Sequence, residues 1–194
     1  MIRKFITSVA AVATVSLLST SVVADEYSAA LEKLANGDIR SWAQDPAVIS
    51  AIKEQNTKSA DLQQSDIDKL DKDWRAETKG GDMPMINSVL SNELSGYLKG
   101  VKEKSQGTYT EIFVMDMKGL NVGQSDVTSD YWQGDEAKWE KSYGAGPKGV
   151  LIDEVEFDDS SQTYQSQVSI SIVDPDSNQT IGAVTVGVNV EALE

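Results

Sequence analysis

The feature that most constrains the fold of this chain is a single change in the spacing of its apolar residues. Over residues 27–103 they recur every three or four positions, the spacing of helices that bury one face. Beyond Gly107, apolar and polar residues alternate in segments rich in β-branched and aromatic side chains, which is typical of strands. Because the helices precede the strands as a block, we predict an α+β domain with a helical layer at residues 25–106 and a sheet at residues 107–194.

Local signals divide the helical half into several helices. Asp45 followed by Pro46 is typical of an N-cap with proline at the first helical position. A shorter helix is predicted to begin near Ser65, where an acid three residues later completes a capping pattern. The glycine pair at residues 80–81 ends that helix, and Pro84 begins the next one.

Five antiparallel strands are predicted in the second half, with the helices on one face of their sheet. The strands cover residues 109–117, 120–125, 150–157, 164–173 and 181–190. An insertion at residues 126–149 joins the second strand to the third and is unusually rich in Tyr and Trp. An antiparallel sheet can leave its second face to a loop or a ligand. We therefore expect the insertion to lie close to any binding site.

The first 24 residues have the pattern of a signal peptide. Arg3 and Lys4 precede an apolar stretch without acids, and the stretch ends in small and β-branched residues at Ala24. We predict cleavage after Ala24, which leaves a single exported domain at residues 25–194 without a membrane span. The alternative of an uncleaved N-terminal anchor stays open, because residues 5–24 are about as long as the roughly 20 residues that span a bilayer.

Composition excludes several classes of function. The 194 residues include no cysteine and no histidine, so the chain lacks Ser-His-Asp and Cys-His nucleophiles and the usual zinc ligands. An exported protein without disulfides fits a bacterial periplasm. With 17 basic and 31 acidic side chains, the formal charge of -14 repels nucleic acid. We expect no cofactor, no nucleic-acid partner and no enzyme of the common types.

Four segments carry a resemblance to a known family. They are WAQDPAVISAI at residues 42–52, EIFVMDMKGLNV at 111–122, SDVTSDYWQGDE at 125–136 and IGAVTVGV at 181–188. With them the chain resembles the extracytoplasmic PAS-like sensor domains of the Cache or PDC group, which occur in bacterial chemoreceptors and sensor kinases. The resemblance implies long N-terminal helices packed on a five-stranded antiparallel sheet. It also implies a small-molecule pocket between that sheet and the segment joining strands two and three.

The resemblance implies a function as well. It indicates a periplasmic sensory domain that recognises a small polar metabolite such as an amino acid, a carboxylate or an amine. Because the sequence ends at Glu194, directly after the last predicted strand, we expect no output module here and signalling through a membrane receptor or a sensor kinase. An alternative is a ligand-free interaction module that docks on a membrane receptor or another envelope protein. A hydrolase that uses paired carboxylates is the third hypothesis.

The insertion supplies four candidate ligand-binding residues. Tyr131, Trp132 and Trp139 have amphipathic rings that could close on a small ligand. They could equally pin the insertion to the sheet. Asp130 could accept a hydrogen bond from a ligand ammonium or cap the turn.

Two further candidates lie outside the insertion. Asp116 could contact a ligand, although the first position of a hairpin turn is its structural alternative. Arg75 and Arg40 are the two arginines of residues 25–194, and a bidentate grip on a ligand carboxylate would need one of them. Arg75 is the candidate, with a surface role as the alternative.

A calcium site is a weaker possibility. Asp126, Asp130, Asp135 and Glu136 offer oxygen ligands, but solvated or capping carboxylates are the more usual role of such residues. The acidic turn at residues 174–178 lacks the glycine and the bidentate glutamate of an EF-hand loop. We predict no metal site.

Overall fold

A computed structural model describes residues 21–159 and 161–193. The predicted signal peptide at residues 1–24 lies outside the described residues except for its last four positions. Among the described residues, no helix combines the length and the apolar character needed to cross a membrane.

Six helical segments form the first layer. They are α1 (Ser21–Leu34), which continues through a π-helical turn (Ala35–Ile39) into α2 (Arg40–Trp42), then α3 (Pro46–Ser59), α4 (Gln64–Glu77), α5 (Pro84–Leu90) and α6 (Glu93–Lys104). The predicted N-cap of α3 is confirmed, because the Asp45 side chain accepts a hydrogen bond from the Ala47 N–H at 2.9 Å. The predicted start of α4 near Ser65 is confirmed to within one residue, since α4 begins at Gln64, but its capping box is formed by Gln63 and Asp66 and not by Ser65 and Asp68.

The second layer is an antiparallel sheet. Its strands are β1 (Tyr109–Met115), β2 (Asn121–Gln124), β3 (Val150–Ile152), β4 (Glu156–Asp158), β5 (Thr163–Val173) and β6 (Thr180–Asn189). Their order is β2-β1-β6-β5-β3, and β4 also pairs with β5. The predicted α+β class, with N-terminal helices packed on an antiparallel sheet, is confirmed.

The sheet has six strands where five were predicted, because the segment at residues 150–157 is interrupted. The Asp153 side chain accepts the backbone N–H of Glu154 at 3.0 Å, and the Asp153 carbonyl accepts the Ser166 hydroxyl at 2.7 Å. Short polar side chains that bond to nearby backbone compete with a strand ladder in this way. The interruption leaves β3 and β4 as separate short strands.

The two faces of the sheet differ in polarity. The face beneath the helices is apolar and joins the main core with residues such as Leu31, Ile52 and Leu98. Its strand residues are Ile112, Val114, Val168, Ile170, Ile172, Val184, Val186 and Val188. We call the opposite face the polar face; it consists of Glu111, Phe113, Gln124, Gln167, Ser169, Ser171 and Thr185.

The insertion divides into two parts that pack in different places. Its second part, with α7 (Ala137–Glu140) and a 3₁₀ turn (Tyr143–Ala145), lies across β5 and β6 on the polar face. Its first part, around Tyr131, packs instead into a second apolar cluster with α4 and α5. The insertion is therefore fastened to both layers of the fold.

Candidate functional site

The centre of the polar face is a row of side chains that crosses four strands. Gln124 on β2 pairs with Phe113 on β1, Phe113 with Thr185 on β6, and Thr185 with Ser169 on β5. Gln124, Ser169 and Thr185 each have 0% exposure. The hydroxyls of Ser169 and Thr185 are 2.8 Å apart. Burying polar groups costs free energy unless they are hydrogen-bonded, so a row of this kind is unusual inside a domain.

Two polar atoms of this face have no hydrogen-bond partner in the described part of the chain. They are the side-chain nitrogen Nε2 of Gln124 and the hydroxyl of Ser171, both buried. An unpaired buried donor or acceptor costs about 1–3 kcal/mol. A bound polar solute could satisfy either group; the two lie on β2 and β5, three strand spacings of about 4.8 Å apart.

Glu111 and Gln167 meet at one end of the row, above Gly187. Gly187 on β6 lies between their strands, and the Gln167 amide donates to the Glu111 carboxylate at 3.0 Å. A side chain at position 187 would place its Cβ against the Thr110 hydroxyl and 2.9 Å from Cγ of Glu111, so glycine lets this pair form without a shift of its side chains. Burial raises the pKa of Glu111, while the Gln167 hydrogen bond and the Lys138 charge oppose that shift.

A cavity of about 290 Å³ adjoins this end of the polar face. It is lined by Asp153, Glu154, Glu156, Phe157, Asp158, Gln165 and Gln167. Because four of the lining side chains are acidic, the cavity is suited to positively charged solutes. Gln167 both lines the cavity and donates a hydrogen bond to Glu111.

Trp139, predicted as a ligand contact, lies over the polar face. Its ring stacks on Tyr143 with centroids 4.8 Å apart, and both rings pack on Phe113, Met115 and Ala183. Its indole nitrogen donates to the Asp116 carbonyl at 3.2 Å. These contacts hold the second part of the insertion against the sheet. Ligand contact by Trp139 stays a prediction.

Lys138, the neighbour of Trp139, places its ammonium group on the polar face. Its nitrogen lies 5.5 Å from the ring centroid of Phe113, and it pairs with Glu136 at 3.0 Å. The Lys138 side chain is only 16% exposed. Sequence reasoning missed Lys138 because a lysine in a short helix has the pattern of a surface residue.

The first part of the insertion carries Tyr131 and Trp132 away from the row. The Tyr131 ring stacks on Trp74 of α4 at 5.4 Å, and burial raises the pKa of Tyr131 to about 12. Trp132 is partly exposed and donates its indole N–H to the Lys118 carbonyl at 2.8 Å. Both rings therefore have internal partners, and ligand contact by either one stays a prediction.

Arg75 and Asp130 are brought together, but as partners of each other. The Arg75 guanidinium donates a hydrogen bond to Asp71 at 2.6 Å and forms an ion pair with Asp130 at 2.8 Å. The Asp71 hydrogen bond and the two negative charges raise the pKa of Arg75. Asp71 also accepts the backbone N–H groups of Tyr131 and Trp132 at 2.9 and 3.1 Å. These contacts fasten the insertion to α4. A ligand role for Arg75 or Asp130 remains a prediction.

Asp116 occupies the hairpin turn between β1 and β2. Its Oδ1 accepts the backbone N–H groups of Lys118 at 2.8 Å and Leu120 at 3.0 Å. The side chain is fully buried, and this burial raises the pKa of Asp116 against the opposing Ser59 hydroxyl and the turn N–H groups. These hydrogen bonds support a role for Asp116 in forming the hairpin turn. Contact between Asp116 and a ligand stays a prediction.

The acidic residues considered for calcium do not converge. Asp126 pairs with Lys102 at 2.6 Å, while Asp130 pairs with Arg75. Within residues 21–159 and 161–193, no three acidic side chains are grouped as metal ligands would be.

Comparison with known proteins finds likeness only among solved structures. No family model matches the sequence, and no curated protein matches it. The V. cholerae histidine kinase DctB sensor domain has 14% identity and a TM-score of 0.39, covering 88% of this chain and 57% of that chain. The E. coli DcuS sensor domain has 19% identity and a TM-score of 0.37, covering 65% of this chain and 92% of that chain.

A third structure is the sensory domain of the Campylobacter jejuni chemoreceptor Tlp3 with isoleucine bound. It has 10% identity and a TM-score of 0.39, covering 90% of this chain and 66% of that chain. The present chain thus spans less than two thirds of the DctB and Tlp3 chains. These three structures are described as sensor domains of a histidine kinase, a chemoreceptor and DcuS.

Proposed function

We propose that this protein is a non-enzymatic sensory domain that binds a small polar metabolite on the polar face, beneath α7. The observation that carries the proposal is the buried row of Gln124, Thr185 and Ser169, together with the unpaired nitrogen of Gln124. A stable core gains little from such residues, since apolar side chains of similar size would pack there without unmet hydrogen bonds. A ligand with polar groups would supply the missing partners.

The covering segment supports the proposal. Trp139 and Tyr143 give the binding face an aromatic cover, and aromatic walls with a few fixed polar groups are common in small-molecule sites. The cavity beside Gln167 offers a way in from solvent. In this arrangement the ligand lies between the sheet and the second part of the insertion.

The proposal includes export and an external signalling partner. Residues 1–24 would direct the chain to the periplasm, and a membrane receptor or sensor kinase would read the bound state. The ion pairs of Arg75 with Asp71 and Asp130 connect the insertion to α4. A ligand that moves the insertion would therefore also act on the helical layer.

A screen of amino acids, organic acids and amines tests this function. We expect at least one compound to raise the melting temperature of the purified protein, and calorimetry to give a single binding site. Thr185→Val removes a buried hydroxyl at nearly constant shape and should abolish binding, whereas Thr57→Val on the exposed side of α3 should not. If several hundred metabolites leave the melting temperature unchanged, the proposal is wrong.

One observation favours the interaction module as a second candidate. Phe157 and Tyr164, on β4 and β5, form an edge-to-face pair with ring centroids 5.3 Å apart. They are 48% and 51% exposed, although large apolar side chains in contact with each other usually avoid water. If this pair docks on an envelope protein, the double change to Ser should abolish that complex, while melting curves show that the variant is still folded.

A further inference from the structure

Lys138 is a largely covered cation on the polar face, with 16% of its side chain exposed. Its ammonium group lies at cation–π distance from Phe113, within the roughly 6 Å over which such contacts are favourable. Lysine is seldom buried to this extent, because its charged end usually reaches water. The Lys138 ammonium group thus differs from that of an ordinary surface lysine, because it is largely covered and lies against the Phe113 ring.

The surroundings of this ammonium group are negative. The ion pairs of residues 21–159 and 161–193 leave the Glu111 carboxylate without a basic partner within 4.0 Å. Lys138 nevertheless acts on Glu111 through its charge. The acid-lined cavity that reaches Gln167 extends the same negative field towards solvent.

These groups suit a ligand ammonium better than a ligand carboxylate. The face of Phe113, the Glu111 carboxylate and the hydroxyls of Ser169 and Thr185 all attract or accept from a cation. A ligand carboxylate would lie close to Glu111 and to the acidic cavity wall, where like charges repel.

We propose that the ligand of the polar face carries a primary ammonium group. In the unliganded protein the Lys138 ammonium occupies the position over Phe113 that the ligand ammonium takes when it binds. This inference rests on the proposed function and names its ligand class. When the ligand binds, its ammonium replaces that of Lys138 over Phe113. Lys138 then moves away from Phe113 and keeps the ion pair that it already forms with Glu136.

Lys138 therefore competes with the ligand, so removing its charge should strengthen ligand binding. Lys138→Met keeps the apolar stem and removes the charge. Without this charge the binding-competent state of the site is more populated, and the apparent affinity rises in proportion. We therefore expect the Lys138→Met variant to bind amines about fivefold more tightly or better. If Lys138 instead bonds to a ligand carboxylate, the same change abolishes binding.

The experiment is calorimetry on the purified protein with n-propylamine, putrescine, L-alanine, L-isoleucine, succinate and malate. We expect the compounds with a primary ammonium to bind, Lys138→Met to strengthen their binding, and Glu111→Gln to abolish it. Lys141→Met, an exposed change three residues further along, is the matched control and should leave affinity unchanged. Circular dichroism and melting curves verify that each variant is folded.

The outcomes separate the two proposals. If only succinate or malate binds, or if Lys138→Met weakens amine binding, the ammonium inference is overturned while the proposed function stands. If none of these probes binds and the wider metabolite screen is also empty, the proposed function fails and the inference fails with it.

Discussion

Trp74 and Tyr131 stack with their ring centroids 5.4 Å apart and their planes 29° from parallel. One ring belongs to α4 and the other to the insertion, and the Trp74 indole also donates to the Thr128 carbonyl at 2.8 Å. Trp74 is fully buried and Tyr131 nearly so. This pair forms the apolar half of the joint between the helical layer and the insertion.

Replacing Tyr131 by Ala should therefore destabilise the protein strongly. The change removes the ring from a packed cluster, and a large-to-small change of an aromatic residue costs about 3–5 kcal/mol. Tyr131→Phe keeps the ring and removes only the hydroxyl, so we expect a loss of about 1 kcal/mol or less. Urea unfolding of both variants measures the difference. Equal losses would show that the ring contributes little.

The polar half of the joint depends on Asp71. Its carboxylate accepts two backbone N–H groups of the insertion and pairs with Arg75. Asp71→Ala leaves those donors buried without a partner, and we expect a loss of about 2–4 kcal/mol in unfolding free energy.

Asp73 provides the matched control for this change. It lies on the same helix and pairs with Lys69 four residues away, but its side chain is 49% exposed. An exposed pair contributes little, so Asp73→Ala should cost about 0.5 kcal/mol or less. A similar loss in both variants would contradict the anchoring role of Asp71.

The sequence predicts some of these relationships and not others. The alternation of Val168, Ile170 and Ile172 with serines predicts β5, and it already contains the difference between the two faces. The place where the insertion packs is not predicted by such a local pattern. Asp71 lies 60 residues before Tyr131, and no local pattern in either segment predicts that they meet.

The polar face likewise depends on contacts between distant strands. Gln167 and Glu111 are 56 residues apart, and the register of β6 between them brings their side chains together. Lys138 gains its importance from Phe113, which lies on another element. Periodicity thus predicts the elements and their faces, whereas the site arises from pairing that a single sequence does not encode locally.

Gly187→Ala should disturb the polar face through steric overlap. The added Cβ would meet Cγ of Glu111 at 2.9 Å and press on the Thr110 hydroxyl. Overpacking of this kind costs about 1–3 kcal/mol, and we also expect ligand binding to be lost as Glu111 moves. Melting curves and calorimetry provide the two measurements.

Gly100→Ala is the control for that change. Position 100 lies within α6, and a Cβ there meets no atom within 4 Å. Because Ala favours helix over Gly, this variant should gain up to about 1 kcal/mol and keep its ligand affinity. A loss of stability at Gly100 as large as that at Gly187 would rule out the steric explanation.

Glu111 should make the protein less stable as pH rises, the reverse of a salt-bridged carboxylate. Burial raises the pKa of Glu111 in the folded state above its ordinary value of 4.5, so between these two values the folded state binds more protons than the unfolded state. Stability due to this group is present in acid and is lost as pH increases. Glu111→Gln, which is neutral and still accepts from Gln167, should therefore be more stable than the parent at about pH 7 and equal to it at about pH 4. Urea unfolding at both pH values measures the difference, with exposed Glu103→Gln as the control. A stability difference that does not change with pH would contradict the raised pKa of Glu111.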